Sequence, residues 1–364
     1  MLHVAYDHQI FAVQRVGGIS RYFVELAARL HRRPGCRASV VAPLHINLLL
    51  DTLPPGVVAG RRVRAVPRTA RLRLALSRAL ADRALRRRPP TLVHETYFDA
   101  RPSGPRGLPR VLTVYDMIAE RYQHDAATAR AKRAAARRAD HVICISERTR
   151  QDFLEDTGHP PERASVVYLG CTLRPVVGSP APAAVPPWPY LLYVGERGAY
   201  KNFARLLAAL ARSRHFARGD VGLYCLGGGP FTAAERDGVA ALPAGGRVAH
   251  RSGGDDVLAA AYAGAAALVY PSVYEGFDIP PLEAMAAGCP VLASTGGSIP
   301  EVVGPAARYF DPLNVDAMSS AIDEALDDPA ALDVLRALGR ERATHFSWDD
   351  CASRTLDVYA RLTA

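Results

Sequence analysis

Short apolar runs alternate with longer amphipathic segments along the whole chain, and that alternation admits few folds. Strands separated by helix-length segments cannot pair as hairpins. They form parallel sheets with helices packed on both faces. In the first half, strands are expected at residues 2–6, 38–42, 91–94, 110–115, 141–145 and 165–168, with helices at 19–30, 71–87, 126–138 and 146–156. The second half restarts at Tyr190-Leu-Leu-Tyr-Val-Gly. Strands follow at 221–226, 247–250, 267–270, 290–293 and 307–310, and helices at 202–212, 232–241, 255–265, 281–287 and 315–325. A chain of 364 residues, 49% of them hydrophobic, is too long for one ordinary core and reads as two domains. The Pro-rich stretch at 174–189 has the composition of a linker. The expected division is 1–173 with a terminal helix at 346–364, the linker, then 190–345. Two such α/β halves leave a cleft at strand carboxyl ends, where open sheets bind ligands.

Several classes fall away. No apolar run is long enough to span a bilayer, and Met1-Leu-His-Val-Ala-Tyr reads as a first strand, not a signal peptide. The six cysteines are scattered without a C-x-x-C pair, which suits small buried hydrophobes in a reducing cytosol and argues against structural zinc. Walker-A, G-x-S-x-G and D-x-D patterns are absent. The net charge of +9 is uneven: residues 1–180 hold 30 Lys and Arg against 15 Asp and Glu, the remainder 15 against 21. Arginine crowds residues 61–88, where Leu72, Leu76 and Leu80 recur at helical spacing. This helix is either a solvated basic face or a surface for peripheral contact with an anionic membrane. Nucleic acid is not an expected partner, because no aromatic residues interleave the arginines.

The stretch Pro271-Ser-Val-Tyr-Glu-Gly-Phe-Asp-Ile-Pro-Pro-Leu-Glu places Glu275 on a Gly-containing loop and Glu283 in the first turn of a helix, with Pro281 at the first helical position. A helix start attracts an anion, and a carboxylate accepts hydrogen bonds from sugar hydroxyls. One loop can thus hold a phosphate and a polyol together. Alternatively, Glu283 merely complements the helix dipole. Upstream, Val194-Gly-Glu-Arg-Gly-Ala-Tyr-Lys-Asn sets Arg197 and Lys201 four residues apart, where they can converge on one anion and stabilise a departing diphosphate. Gly17-Gly18 after the first strand suits either a close approach to phosphate or a ligand-free helix start. Thr113-Val-Tyr-Asp ends another strand, leaving Tyr115 and Asp116 as site residues or as strand-end structure. His94 is either acceptor-facing or a satisfied core histidine. The turns holding Gly228, Gly229 and Arg251 are ordinary βα turns on their own evidence. Ser298 is expected to cap the following helix.

Taken together, Glu275, Gly276, Phe277, Asp278 and Glu283 resemble the sugar-nucleotide signature of the retaining GT-B glycosyltransferases of family 4, with Asp278 standing where that family usually has Gly. The resemblance runs from Gly17-Gly18 to the Phe346–Trp348 tail. It implies two Rossmann-like domains with a terminal helix returning to the first. It also implies transfer of a sugar from a nucleoside diphosphate to an acceptor hydroxyl with retained configuration, the leaving phosphate taking the acceptor proton. By the same resemblance Glu283 holds the ribose diol and Glu275 the donor sugar or its phosphate region. Arg197 and Lys201 serve the diphosphate, with Gly276–Asp278 amides assisting. Gly17 and Gly18 lie beside donor and acceptor, Gly228, Gly229 and Arg251 surround the nucleotide, and Tyr115 stands where many relatives have a sugar-contacting His, followed by Asp116. No metal or other cofactor is implied, since protein cations form the diphosphate site. The acceptor is a glycan, a lipid-linked glycan or a small molecule, and the expected location is the cytoplasm or its membrane face. The rival readings are a sugar-nucleotide epimerase on the same architecture and a catalytically silent sugar-nucleotide-binding homologue.

Overall fold

Each strand of the computed structural model lies parallel to its neighbours among the described residues, which are 1–66, 68–171, 185–243 and 246–364. The chain divides into two units, Met1–Gly170 with Ser347–Ala364, and Cys171–Phe346. In the first unit the strands are β1 (Leu2–Tyr6), β2 (Cys36–His45), β3 (Val58–Arg62), β4 (Leu92–Glu95), β5 (Arg110–Val114), β6 (His141–Cys144) and β7 (Ala164–Val166). Their sheet order is β3-β2-β1-β4-β5-β6-β7. The second unit has β8 (Tyr190–Val194), β9 (Gly222–Leu226), β10 (Val248–Arg251), β11 (Ala267–Tyr270), β12 (Val291–Ser294) and β13 (Ala307–Phe310), ordered β10-β9-β8-β11-β12-β13. Both are doubly wound, Rossmann-like sheets. The winding direction reverses between β1 and β4 in one and between β8 and β11 in the other. Loops leaving the strands on either side of such a reversal diverge and open a crevice, which is where ligands of open α/β sheets sit.

Strands β4, β5, β9, β11 and β12 are buried at every residue, as sheets covered on both faces require. In the second unit Leu191, Tyr193, Phe203, Leu206, Leu210, Leu223 and Ile322 share one such core. Cys144, Cys225, Cys289 and Cys351 are buried free thiols, while Cys36 and Cys171 are partly exposed. The expected linker at 174–189 lies outside the described residues up to 184; by Pro189 the chain is already in the ladder, its carbonyl accepting from Gly222 N–H at 2.9 Å.

One strand escapes sequence reading. β3 is an edge strand of mostly exposed Val-Ala-Gly-Arg-Arg, so it shows no apolar run. Its pairing with β2 slips between Val41 and Leu44, and there Gly60 is needed: a Cβ would stand 1.8 Å from the Ala42 carbonyl oxygen. The helices Gln9–Val13, Ile118–Arg121, Arg214–Arg218 and Pro329–Ala343 were likewise not anticipated. The arginine-rich segment forms the helix Ala70–Arg87, which buries Ser77, Ala81 and Leu85 and leaves Leu72, Leu76 and Leu80 exposed.

The terminal helix Trp348–Thr363 packs with the first unit through the helix Gly18–His31. Arg29 pairs with Asp349 at 2.8 Å, and the Tyr359 hydroxyl meets Nδ1 of His94 at 2.6 Å. His94 Nε2 lies 2.8 Å from Thr113 Oγ1. Both ring nitrogens are therefore partnered at full burial, and burial pushes the imidazole down to about 3. His94 is a neutral core histidine. Gly170, the last residue before the chain leaves this unit, lies against the start of the terminal helix, and a Cβ there would stand 2.3 Å from Trp348 N. We expect Gly170→Ala to cost about 1–3 kcal/mol through overpacking, read as a lowered urea midpoint with unchanged slope.

Candidate functional site

The reversal point of the second sheet brings together the loops that follow β8 and β11. Gly195 leaves β8 at φ +112, a conformation that favours glycine. The chain then reaches Lys201 in the short 3-10 turn Ala199–Lys201. Lys201 Nζ lies 2.6 Å from Oε1 of Glu275, which arrives from β11. Neither is free in water: the lysine side chain is 19% exposed and the glutamate 8%. Burial opposes the charge on Lys201, but Glu275, Tyr200 and Asp278 more than offset it, so the ammonium titrates above its usual range.

Contacts to the main chain of the neighbouring loops hold this pair in place. Asn202, left-handed at φ 63 and 3% exposed, donates from Nδ2 to the carbonyls of Pro271 and Pro312 at 3.0 and 2.6 Å. Val273 N–H donates to the Tyr200 carbonyl at 2.8 Å. From the other side Gly296 and Gly297 press on the loop: a Cβ on Gly297 would lie 2.5 Å from Glu275 N, and one on Gly296 2.1 Å from Val273 O. Sequence reading passed over Asn202, Gly296 and Gly297. The available signals were two separate ones, an Asn just before the helix Phe203–Arg212 and a Gly-Gly pair just before Ser298.

Ser298 requires a correction. It precedes the helix Ile279–Ala286's neighbour, Ile299–Val303, without making a side-chain cap. Its hydroxyl instead bonds the Glu275 carbonyl at 3.1 Å and Asp278 Oδ2 at 3.0 Å, because the glycines bring the two loops too close for it to turn toward its own helix. Asp278 is fully buried, and among the described residues its Oδ1 has no hydrogen-bond partner. Burial, reinforced by the Glu275 carboxylate, pushes the Asp278 carboxyl well above its ordinary range against the opposing pull of Ser298 and Lys201. The serine's one proton serves one of these oxygens at a time, and its backbone N–H also donates to the Glu275 carbonyl at 3.2 Å.

The helix Ile279–Ala286 begins two residues earlier than expected, with Asp278 at its cap position. Pro281 therefore occupies the third helical position and Glu283 the second turn. The reason is local: Ile279 and Pro280 both tolerate the first turn, where N–H groups lack helical acceptors. Glu283 lies on the face toward Tyr262, whose hydroxyl is 3.4 Å from Oε2. Phe277 packs edge-on against Phe346 at 5.8 Å, and Gly276 joins it to Glu275.

Arg197 and Lys201 have different partners. Arg197 Nε pairs with Glu235 at 3.0 Å, and its other nitrogens donate to the carbonyls of Gly227 and Gly229 at 3.2 and 2.5 Å, with the guanidinium 4.9 Å from the Phe231 ring centroid. The side chain is only 5% exposed. Its convergence with Lys201 is thus replaced here by a clamp on the glycine turn after β9. Gly228, at φ +66, leaves room for that guanidinium, since a Cβ would stand 2.8 Å from Nη1. Arg251 ends β10, and Ser252 donates to the Gly228 carbonyl at 3.3 Å.

The remaining candidates lie in the first unit. Gly17, with extended backbone, precedes the helix that starts at Gly18, and Gln14 braces the turn by accepting from Ser20 N–H at 3.0 Å. Tyr115 is buried and donates to the Thr96 carbonyl at 3.1 Å. Asp116 Oδ1 accepts from Ile118 N–H at 2.9 Å. No cluster of metal-ligating side chains occurs among the described residues.

The chain as a whole, with its two doubly wound sheets, is similar to known proteins. Residues 183–342 match the family model described as glycosyl transferases group 1, and residues 16–174 match that of glycosyltransferase family 4. The chain belongs to this glycosyltransferase family. It is 32% identical over 237 residues to the O-antigen chain mannosyltransferase B of Escherichia coli, covering 61% of this chain and 60% of that protein. It is also 32% identical over 294 residues to an MMP alpha-(1->4)-mannosyltransferase of Mycolicibacterium hassiacum, covering 71% and 66%. The chain thus spans about two thirds or less of these relatives' lengths. Sucrose-phosphate synthase from Thermosynechococcus elongatus shares the fold at TM-score 0.75 and 22% identity, covering 100% and 99%. An Anabaena protein, HepE, solved with UDP-glucose, does so at TM-score 0.74 and 16% identity, covering 98% and 100%. The fold is GT-B.

A raised carboxyl pKa favours the folded state below the ordinary carboxylate range and ceases to do so as pH rises toward the folded value. We therefore expect Asp278→Asn to be at least as stable as the wild type at neutral pH, its advantage shrinking as pH falls toward that of a free carboxylate. Urea unfolding across pH checks this; an Asn variant less stable at neutral than at acid pH, relative to wild type, contradicts a protonated Asp278.

Proposed function

We propose that the protein is a retaining hexosyltransferase that moves a sugar from a nucleoside-diphosphate sugar to an acceptor hydroxyl. The observation that carries this reading is the Lys201–Glu275 pair at 2.6 Å at the reversal of the second sheet. An ammonium kept charged inside protein, with its counter-ion fixed by backbone contacts, suits a step in which negative charge appears on a leaving diphosphate: the lysine's field is already oriented and worth more than in water. Glu275 holds the lysine and accepts from the sugar's hydroxyls, while Glu283 accepts from the ribose diol. Arg197 supports the turn of Gly227–Gly229 against the nucleotide, and amides of Gly276–Asp278 complete the anion site. The mannosyltransferase names of the relatives and the UDP-glucose bound by HepE support a hexose donor of this kind. Charge neutralisation by protein cations makes a divalent metal unnecessary, so turnover is expected to survive chelation.

In donor turnover assays with the anomeric product read by NMR, Lys201→Ala should lower kcat by about a hundredfold to a thousandfold, the scale of losing one preorganised electrostatic donor. Glu283→Ala should chiefly raise the donor KM. Unchanged kinetics in Lys201→Ala, or an inverted product, would remove the assignment.

We further propose that the exposed stripe of Leu72, Leu76 and Leu80, at 63%, 48% and 44% exposure, lets the helix Ala70–Arg87 lie against an anionic lipid surface at the cytoplasmic face of a membrane. Apolar side chains enter the interface while Arg83, Arg86 and Arg87 meet headgroups. Co-sedimentation with phosphatidylglycerol vesicles should fall sharply when the three leucines are replaced by serine, and persist weakly when only salt is raised.

A further inference from the structure

Of the 45 lysine and arginine residues only two are lysines, Lys132 and Lys201. Lys201 stands in the site already described. Lys132 is the more deeply buried, with 1% of its side chain exposed against 19%. It lies on the helix Ala126–Arg138, whose buried face is otherwise Ala129, Ala135 and Ala136. An ammonium in the middle of an alanine face calls for a reason. Stability is a poor one, because well-packed apolar side chains of like size often replace a buried ion pair without loss.

The contacts of Lys132 supply another. Its Nζ lies 2.8 Å from Oε2 of Glu120, on the helix Ile118–Arg121, and donates to the Asp116 carbonyl at 2.7 Å. The Met117 sulfur is 3.8 Å away and the Phe98 ring centroid 5.1 Å. An ammonium has three N–H donors, and the carboxylate, the carbonyl and the sulfur can accept one each. Arginine, with a longer stem and a planar fork, cannot gather three donors at one point. Asp116 and Met117 leave β5, whereas Phe98 belongs to the segment that leaves β4. One nitrogen therefore ties two strand exits together. Tyr115 makes a second tie, donating from its hydroxyl to the Thr96 carbonyl at 3.1 Å, with its ring 6.3 Å from that of Phe98. These exits lie on the β4 side of the reversal between β1 and β4, and Phe98 lines the cavity of about 380 Å³ that opens there. Crevices at such reversals hold the ligands of open sheets.

We propose that Lys132 is a positioning residue for the transfer reaction: paired with Glu120, it holds the exits of β4 and β5 in one arrangement, so that the wall of the first sheet's crevice is set before substrate arrives. It acts through Asp116 and Phe98 and not on the substrate itself. The inference rests on the hexosyltransferase reading for the reaction served, and on the contacts of Lys132 for the ordering of the two exits. A preset wall matters because a misplacement of about 1 Å can cost about a hundredfold in rate.

Replacing both members of the pair by apolar residues of similar length, in the full chain, separates positioning from stability. Lys132→Met/Glu120→Met leaves no unpaired charge behind, so its urea midpoint should stay near that of the wild type. Nucleoside-diphosphate release from UDP- and GDP-hexoses should nevertheless fall about tenfold to a hundredfold in kcat, with the affinity for UDP and GDP, read by calorimetry, unchanged. Amide exchange should quicken at Ile118, at Arg121 and in residues 96–99, and stay as in the wild type across β1 and β2. Lys132→Arg keeps the charge and loses the geometry; it should show the same loss of kcat, and it decides the matter where the double variant does not fold. Wild-type kcat in either folded variant, exchange that rises evenly across the unit, or failure of both variants to fold would overturn the proposal. A wild type that releases no nucleoside diphosphate from any hexose donor would instead count against the hexosyltransferase reading, and the ordering of the two exits would then be judged by amide exchange alone.

Discussion

An ammonium and a carboxylate removed from water gain from each other only if the geometry between them is fixed, because the cost of desolvating both is several kcal/mol. At Lys201 and Glu275 the fixing is done by close main-chain approach and by two neutral polar side chains bonded to main-chain carbonyls. Asn202 pins one loop to Pro271 and Pro312, Gly296 and Gly297 press a second loop against the first, and Ser298 closes the gap. Few of these contacts involve the charged atoms themselves. The pair is therefore a product of how closely three βα loops approach one another, and the chemistry assigned to it inherits that rigidity.

The same constraint bears on Asp278, which stands where the resembled signature has glycine. A carboxylate at this depth would add a second negative charge beside Glu275. Burial and the Glu275 charge push its carboxyl up toward the neutral acid, and its Oδ2 stands 3.0 Å from Ser298 Oγ, between the helix start and that serine. The unpartnered Oδ1 is then a carbonyl-like oxygen, which is less costly to bury than half of an anion.

The alternation of the chain disclosed the two parallel sheets, because strands buried on both faces must be written as continuous apolar runs. The resemblance singled out Glu275 and Lys201, which the structure pairs with each other. What stayed hidden has physical causes. β3 is an edge strand that needs no apolar face. Asn202 acts through a left-handed backbone that no periodicity reports. Ser298 follows the local rule for a cap, and only the nearness of another loop redirects it. Arg197 pairs with Glu235, thirty-eight residues away, through a turn whose glycines looked generic. Local patterns foretold elements and positions; partners chosen across the sheet did not show.

The chain leaves the first unit after Gly170 and returns to it only at Ser347, and the returning helix supplies Tyr359 to a histidine laid down in β4. A protein synthesised from its amino end therefore completes its second sheet while the first still lacks a wall. Until then Trp348 and Tyr359 are missing from an aromatic cluster that includes Tyr6, Tyr22 and Phe23. During translation the first half therefore keeps an uncovered aromatic flank until the returning helix emerges.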